Sequence, residues 1–164
     1  ERRSRVERSM TSLLAAHAAV GGDIVSAGGT GPYAVNTWAN EIQAGSYLLM
    51  DTQYATLEVP FAIALGVVAT VISVSAKGWF VVDAGLKAFG MDHGNPTWPD
   101  GELQCCSDEH STLKPFEGEP LPAVGDRIRL LPAHVDPTVA KHEQYWVLDG
   151  DAVVDRWPVD LRHW

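Results

Sequence analysis

Leu65-Gly66-Val67-Val68-Ala69-Thr70-Val71-Ile72-Ser73-Val74-Ser75-Ala76-Lys77-Gly78-Trp79-Phe80-Val81-Val82-Asp83 is the stretch on which the reading of this chain turns. β-Branched and aromatic residues dominate it, and such side chains suit a pleated, half-buried surface. Gly78 separates two runs of them, so the segment predicts a hairpin with strands over 69–74 and 79–83. From Pro60 onward the chain reads as β. Residues 85–101 are punctuated by Gly90, Gly94, Pro96 and Pro99 and predict irregular structure. Gln104-Cys105-Cys106-Ser107-Asp108-Glu109-His110 follows as an edge strand with a polar end. A turn at Val124-Gly125-Asp126 then leads into an alternating strand over 127–131. Runs at 145–148 and 152–157 flank Asp149-Gly150, a two-residue hairpin signal.

Before Pro60 the texture differs. Val6, Met10, Leu13, Leu14 and His17 recur at helical spacing among alanines, so residues 1–20 predict a helix, and Gly21-Gly22 stops it. Asp23-Ile24-Val25-Ser26 reads as a short buried strand running into Ala27-Gly28-Gly29-Thr30-Gly31. Tyr47-Leu48-Leu49-Met50-Asp51 reads as a second strand. The fold class expected is α/β plus β: an αβ portion over 1–59 and a mostly antiparallel β domain over 60–164.

Composition narrows the function classes. The chain has 164 residues, 46% of them hydrophobic, and a formal net charge of −9. Nucleic acid is not an expected partner, because phosphate binding draws on a basic stripe; Arg2-Arg3-Ser4-Arg5 reads as a solvated helix face. Pro60 to Val74 is the most apolar run but falls short of a membrane span, so no membrane partner is expected. Cys105 and Cys106 are adjacent and cannot staple distant loops; they predict a reducing cytoplasm and two buried, small apolar side chains.

Two constellations carry chemistry. In Leu130-Leu131-Pro132-Ala133-His134-Val135-Asp136-Pro137-Thr138 an imidazole and a carboxylate stand at i and i+2. A residue before proline is pushed toward extended conformation, so Leu131 and Asp136 are expected extended, with His134 and Asp136 leaving one face and converging on a cation. A hydrogen-bonded His/Asp pair is the alternative. The loop Gly28-Gly29-Thr30-Gly31 can cradle a phosphate on its backbone N–H groups, although it is neither a Walker A nor a GxGxxG motif and, taken alone, such a loop is more often just a tight turn.

Several pieces together resemble one family. They are Ser26-Ala27-Gly28-Gly29-Thr30-Gly31, Glu41-Ile42-Gln43-Ala44-Gly45-Ser46-Tyr47 with Met50-Asp51, Asp83-Ala84-Gly85-Leu86-Lys87, Glu109-His110, Gly125-Asp126-Arg127-Ile128-Arg129 and Pro132 to Thr138. In this order they resemble the D-threonine aldolase and D-serine dehydratase family of pyridoxal 5'-phosphate (PLP) enzymes with an alanine-racemase-like fold. The resemblance implies that residues up to about 59 are the last strands of a PLP-binding (β/α)8 barrel, and that the chain is the C-terminal part of the family's length. It implies cofactor contacts at Gly28, Gly29, Thr30 and Tyr47, and a divalent metal at His134 and Asp136. The dehydratase branch carries cysteine at the position of Asp136; an oxygen donor there favours Mn²⁺, Mg²⁺ or Ca²⁺ over Zn²⁺ and tilts the reading toward aldolase. The implied substrate is a D-3-hydroxy amino acid, split into glycine and an aldehyde in a cytoplasmic homodimer. A dehydratase-like lyase and a non-catalytic metal-binding β module are the alternatives.

The family's Schiff-base lysine lies on the first barrel strand, and the only lysines here are Lys77, Lys87, Lys114 and Lys141. Catalytic residues are therefore not assigned, Lys87 is expected in an ion pair, and the chain alone is expected to be inactive. Glu109-His110 reads either as a support to the metal or as a strand-end pair. His17 is expected to pack, His93, His142 and His163 to be solvated, and Trp157 and Trp164 to pack against hairpin and tail.

Overall fold

The computed structural model describes residues 1–162; His163 and Trp164, and what was expected of them, lie outside the described residues. The β half is built as its patterning predicts. Strands β1 (Val67–Ser75) and β2 (Trp79–Val82) form the hairpin around Gly78, which turns at φ 85°. With β3 (Gly101–Cys106), β4 (Ser111–Pro115) and β5 (Arg127–Leu130) they make a five-stranded antiparallel sheet in the order β3-β4-β2-β1-β5. One side of it encloses Ala69, Val71, Phe80, Val82, Phe89, Trp98, Leu113 and Leu130. Phe80 meets the edge of Trp98 at 5.0 Å between ring centroids and 87° between planes, a favourable aromatic geometry. A short helix α2 (Val135–Val139) and a separate two-stranded ribbon, β6 (Gln144–Asp149) with β7 (Ala152–Pro158), complete this half. The ribbon turns on Gly150 and Asp151, one residue later than expected, as the pairing of Asp149 with Ala152 shows.

Helix α1 (Arg2–Val20) stops at Gly21, whose N–H donates to the His17 carbonyl. The expected strands before Pro60 are different in kind. Residues 25–28 and 40–43 run parallel through one bridge, Ser26 to Glu41, with Ala27 N–H donating to the Glu41 carbonyl and Gln43 N–H to that of Gly28. The second strand-like segment therefore precedes Tyr47, and 46–48 is a 3₁₀ turn. Among the described residues these two parallel segments pair with each other alone.

Three local expectations are corrected. Asp136 is not extended but lies in the first turn of α2, with His134 as its N-cap. Proline is tolerated there because the first N–H groups of a helix have no partner within the helix. Cys105 is exposed and Cys106 half-buried, since β3 is an edge strand and a register shift at Leu103/Cys105 breaks its alternation. His142 is not solvated; its Nε2 bonds the Ala88 carbonyl at 2.9 Å.

Candidate metal centre

The segment holding His134 is fixed from three directions. Asp51, fully buried, receives the Val135 N–H at 2.8 Å and the Tyr54 N–H at 2.7 Å, one on each oxygen. Its carboxylate caps the N-terminus of α2 from 84 residues away, where a negative charge suits the helix dipole. Thr138 Oγ1 donates to the His134 carbonyl at 2.6 Å and accepts the Gly90 N–H at 2.9 Å. Gly90 also bridges to His134 as an antiparallel pair. A Cβ at Gly90 would stand 2.3 Å from Pro137 Cγ, so only glycine allows this approach.

These contacts bring the 90–94 loop against His134. His134 Nδ1 and Asp92 Oδ2 are 2.6 Å apart, and since a carboxylate can only accept, the ring carries its proton on Nδ1. That hydrogen bond holds the Asp92 carboxyl below its ordinary range. His93 stacks on His134 with centroids 3.9 Å apart and planes at 11°. On the other edge of the ring, Nε2 faces Asp136 Oδ2 at 3.5 Å. The Asp136 side chain is 70% exposed and that of His134 21%, so this edge of the ring faces a solvent-exposed carboxylate.

Asp92, His93 and His134 bring three possible ligand atoms within 4.8 Å of one another, so the ring has two edges on which an ion could sit. Two donors each about 2.1 Å from a common ion, at right angles or wider, stand about 3 Å or more apart. The Asp92 contact is too short for an ion between its atoms and is a hydrogen bond. The His134–Asp136 spacing fits one.

The second constellation lies in the first sixty residues. Gly28 adopts φ 89°, and a Cβ on it would press on Asn36 Nδ2 at 3.0 Å and Pro32 Cγ at 3.2 Å. Among the described residues the N–H groups of Gly28, Gly29 and Thr30 donate to no protein acceptor. Consecutive free N–H groups at a turn form an anion-binding concavity. Thr30 is buried, and its Oγ1 accepts the Tyr47 N–H at 3.0 Å, which ties the loop to the 3₁₀ turn. Tyr47 and Tyr33 each pack on Phe61 at 5.2 Å. Lys87 pairs with Glu109, so Glu109 is engaged with that lysine, while Asp92, unremarked in the sequence, is the residue at the imidazole. The other lysines lie in the β half: Lys77 in the β1–β2 turn, Lys114 on β4 and Lys141 beyond α2.

Known proteins share the fold of this β domain. The family model described as "Putative serine dehydratase domain" matches residues 64–148, and the chain belongs to this family. It is 33% identical to a D-threonine aldolase of an Arthrobacter species over 99% of this chain and 47% of that protein. The crystal structure of D-threonine aldolase from Filomicrobium marinum superposes with a TM-score of 0.84 at 32% identity, over 95% of this chain and 47% of that one. D-threo-3-hydroxyaspartate dehydratase from Delftia sp. HT23 does so with a TM-score of 0.82 at 27% identity, over 99% of this chain and 52% of that one. Solved forms of such a dehydratase include one with alanine in place of a histidine and one, metal-free, with alanine in place of a cysteine two positions beyond that histidine. An alanine-racemase-like protein from Idiomarina loihiensis, at 24% identity and a TM-score of 0.74 over 90% of this chain and 46% of that one, shares the fold. The fold class is thus the end of an alanine-racemase-like architecture followed by an antiparallel β domain. The chain spans about half the length of the curated aldolases it matches. Among the described residues no helix is long and apolar enough to cross a membrane.

Proposed function

We propose that this chain is the metal-holding, phosphate-cradling half of a PLP-dependent lyase that splits a D-3-hydroxy amino acid into glycine and an aldehyde. The observation that carries the reading is the 3.5 Å gap between His134 Nε2 and Asp136 Oδ2, with the opposite ring nitrogen already occupied by Asp92. Support comes from the dehydratase forms, where a histidine and a residue two positions on were the targets and one form is metal-free. In this chain an oxygen donor takes the place that a thiolate would hold at that spacing. Hard oxygen ligands suit Mn²⁺, Mg²⁺ or Ca²⁺, whereas a thiolate suits Zn²⁺.

The residues present fit the ion and part of the cofactor. When bound, the ion supplies a Lewis acid for the substrate 3-hydroxyl, and PLP supplies an electron sink for the breaking carbon–carbon bond. His134 Nε2 and Asp136 would hold the ion, and because the Asp136 side chain is 70% exposed water and a substrate hydroxyl could reach it. The N–H groups of Gly28, Gly29 and Thr30 hold the phosphate, and Tyr47, whose backbone anchors Thr30, lies beside them. None of the four lysines is on this loop, and Lys87 is spent on Glu109, so the chain by itself does not complete the reaction. The full-length enzyme is read as a cytoplasmic homodimer, a compartment that suits free, partly exposed Cys105 and Cys106.

Equilibrium binding of Mn²⁺ to the chain tests the reading. Asp136→Ala and His134→Ala are expected to weaken it by about 100-fold or more, and Asp136→Cys to reverse the preference between Mn²⁺ and Zn²⁺. Unchanged Mn²⁺ affinity in Asp136→Ala would sink the assignment.

A further inference from the structure

The geometry points to Asp92 as the positioning residue of the metal centre: it holds the proton of His134 on Nδ1 and so turns the Nε2 lone pair toward Asp136. The inference rests on the metal reading for its purpose but not for its observation, which is the 2.6 Å contact. A histidine that ligates through one nitrogen gains orientation and basicity when the other donates to a carboxylate. Here the carboxylate comes from a loop 42 residues upstream, and the loop is not free to drift. The Gly90 N–H is held by Thr138 and its backbone by the bridge to His134, while Phe89 beside it is fully buried in the sheet's core.

His93 adds to the constraint from the ring's face. Its stacking at 3.9 Å disfavours tilted positions of the His134 ring and leaves two orientations related by a flip about the Cβ–Cγ bond. Of the two orientations this permits, the ring flip would place a C–H against Asp92 and forfeit its hydrogen bond. The 3.8 Å separation of His93 Nε2 from Asp92 Oδ2 lies beyond hydrogen-bond reach, so the Asp92 carboxylate serves His134.

The test reads the tautomer of His134 in the metal-free chain by long-range proton–nitrogen correlation on ¹⁵N-histidine protein, and Mn²⁺ affinity by calorimetry. The wild-type chain is expected to show His134 protonated at Nδ1. Asp92→Ala should show a mixture of tautomers and bind Mn²⁺ about 10- to 100-fold more weakly. Asp92→Asn, which keeps an acceptor oxygen without the charge, should retain the tautomer and fall between the two in affinity. Adding Zn²⁺ should shift Nε2 of His134 and leave Nδ1–H in place.

An unchanged tautomer and affinity in Asp92→Ala would overturn the inference, as would coordination of Zn²⁺ through Nδ1, which would make Asp92 and His93 ligands instead. Failure of the metal reading is separable: Mn²⁺ affinity would then ignore Asp136→Ala, while the metal-free tautomer would still decide the role of Asp92. A folding defect is not expected to obscure the result, because the Asp92 side chain is 55% exposed, and Asp92→Asn reports on the same contact with less disturbance.

Discussion

The sheet and the first sixty residues are stabilised in different ways. Between Val67 and Leu130 the backbone pairs strand to strand, and Phe80, Val82, Phe89, Leu113 and Leu130 reach 0% exposure. Before Pro60, the two strand-like segments share one bridge, and the 19-residue helix α1 buries only Met10. Thr30 apart, this part is as buried as the sheet at Met50-Asp51, where it meets the His134 segment: Thr52 N–H donates to the Pro132 carbonyl and Asp51 receives Val135. One half makes its own core, and the other is organised by what it docks on. His134 and Asp136 stand in the half that makes its own core, with Asp51 of the other half fixing the start of their helix, while the Gly28–Thr30 loop is tied to Tyr47 within the first sixty residues.

The largest effect should come from removing the centre of the sheet. Phe80→Ala deletes a fully buried ring packed edge-on against Trp98, and it should destabilise the chain by about 3–5 kcal/mol in denaturant unfolding. If the two halves differed less than the pairing shows, an equal truncation in α1 would do as much; a Leu13→Ala change, at a residue 38% exposed, should do far less.

Asp51→Ala should come next, at about 2–4 kcal/mol, because it leaves one buried and one part-buried N–H group without acceptors. Asp51→Asn should resemble it more than wild type. Both oxygens are in use, so the amide NH2 must face one of the two donors. The variant should also loosen Mn²⁺ binding, since the same carboxylate fixes the start of α2. Wild-type stability in Asp51→Ala would mean that the halves are joined some other way.

Legibility in the sequence followed the same division. The β1–β2 hairpin, β5 and the β6–β7 ribbon were readable because their patterning is local and ends in glycine turns. Strand β4 (Ser111–Pro115) went unread: Ser, Thr, Lys and Pro carry little strand signal, and its two inward residues, Ser111 and Leu113, are set by pairing with β2 and β3. The conformation of Asp136 was misjudged because the pre-proline preference is a local term, and a helix start capped by Asp51 and by Thr138 outweighs it. Even so, His134 and Asp136 stand together, with the imidazole on an extended N-cap residue and the carboxylate on the first turn. Asp92 was missed because nothing near it in the chain refers to His134; the only local hint is an Asp-His dipeptide between Gly90 and Gly94. The loop at 28–31 was visible as glycines, but its free N–H groups are a property of the folded turn.

The smallest effect should come from the ion pair that the sequence suggested for Lys87. Glu109 raises the Lys87 pKa, by its hydrogen bond first and its charge second. A lysine whose folded pKa is raised contributes stability that is fully present below its unfolded value of 10.5 and is lost as pH rises through the higher folded value. The sign is thus favourable at neutral pH, but both side chains are more than half exposed, 62% and 59%, and water and salt screen such pairs. The backbone already does the work of joining these segments, since Leu86 N–H donates to the Ser107 carbonyl at 2.9 Å and Lys87 N–H to that of Asp108 at 3.1 Å. Lys87→Met should therefore leave the thermal unfolding midpoint in high salt unchanged and shift it slightly downward in low salt, with that small difference vanishing as pH rises through the raised folded pKa of Lys87. A large, salt-independent loss would show that this exposed edge of the sheet leans on the ion pair, and that the self-sufficiency of the β half has been overdrawn.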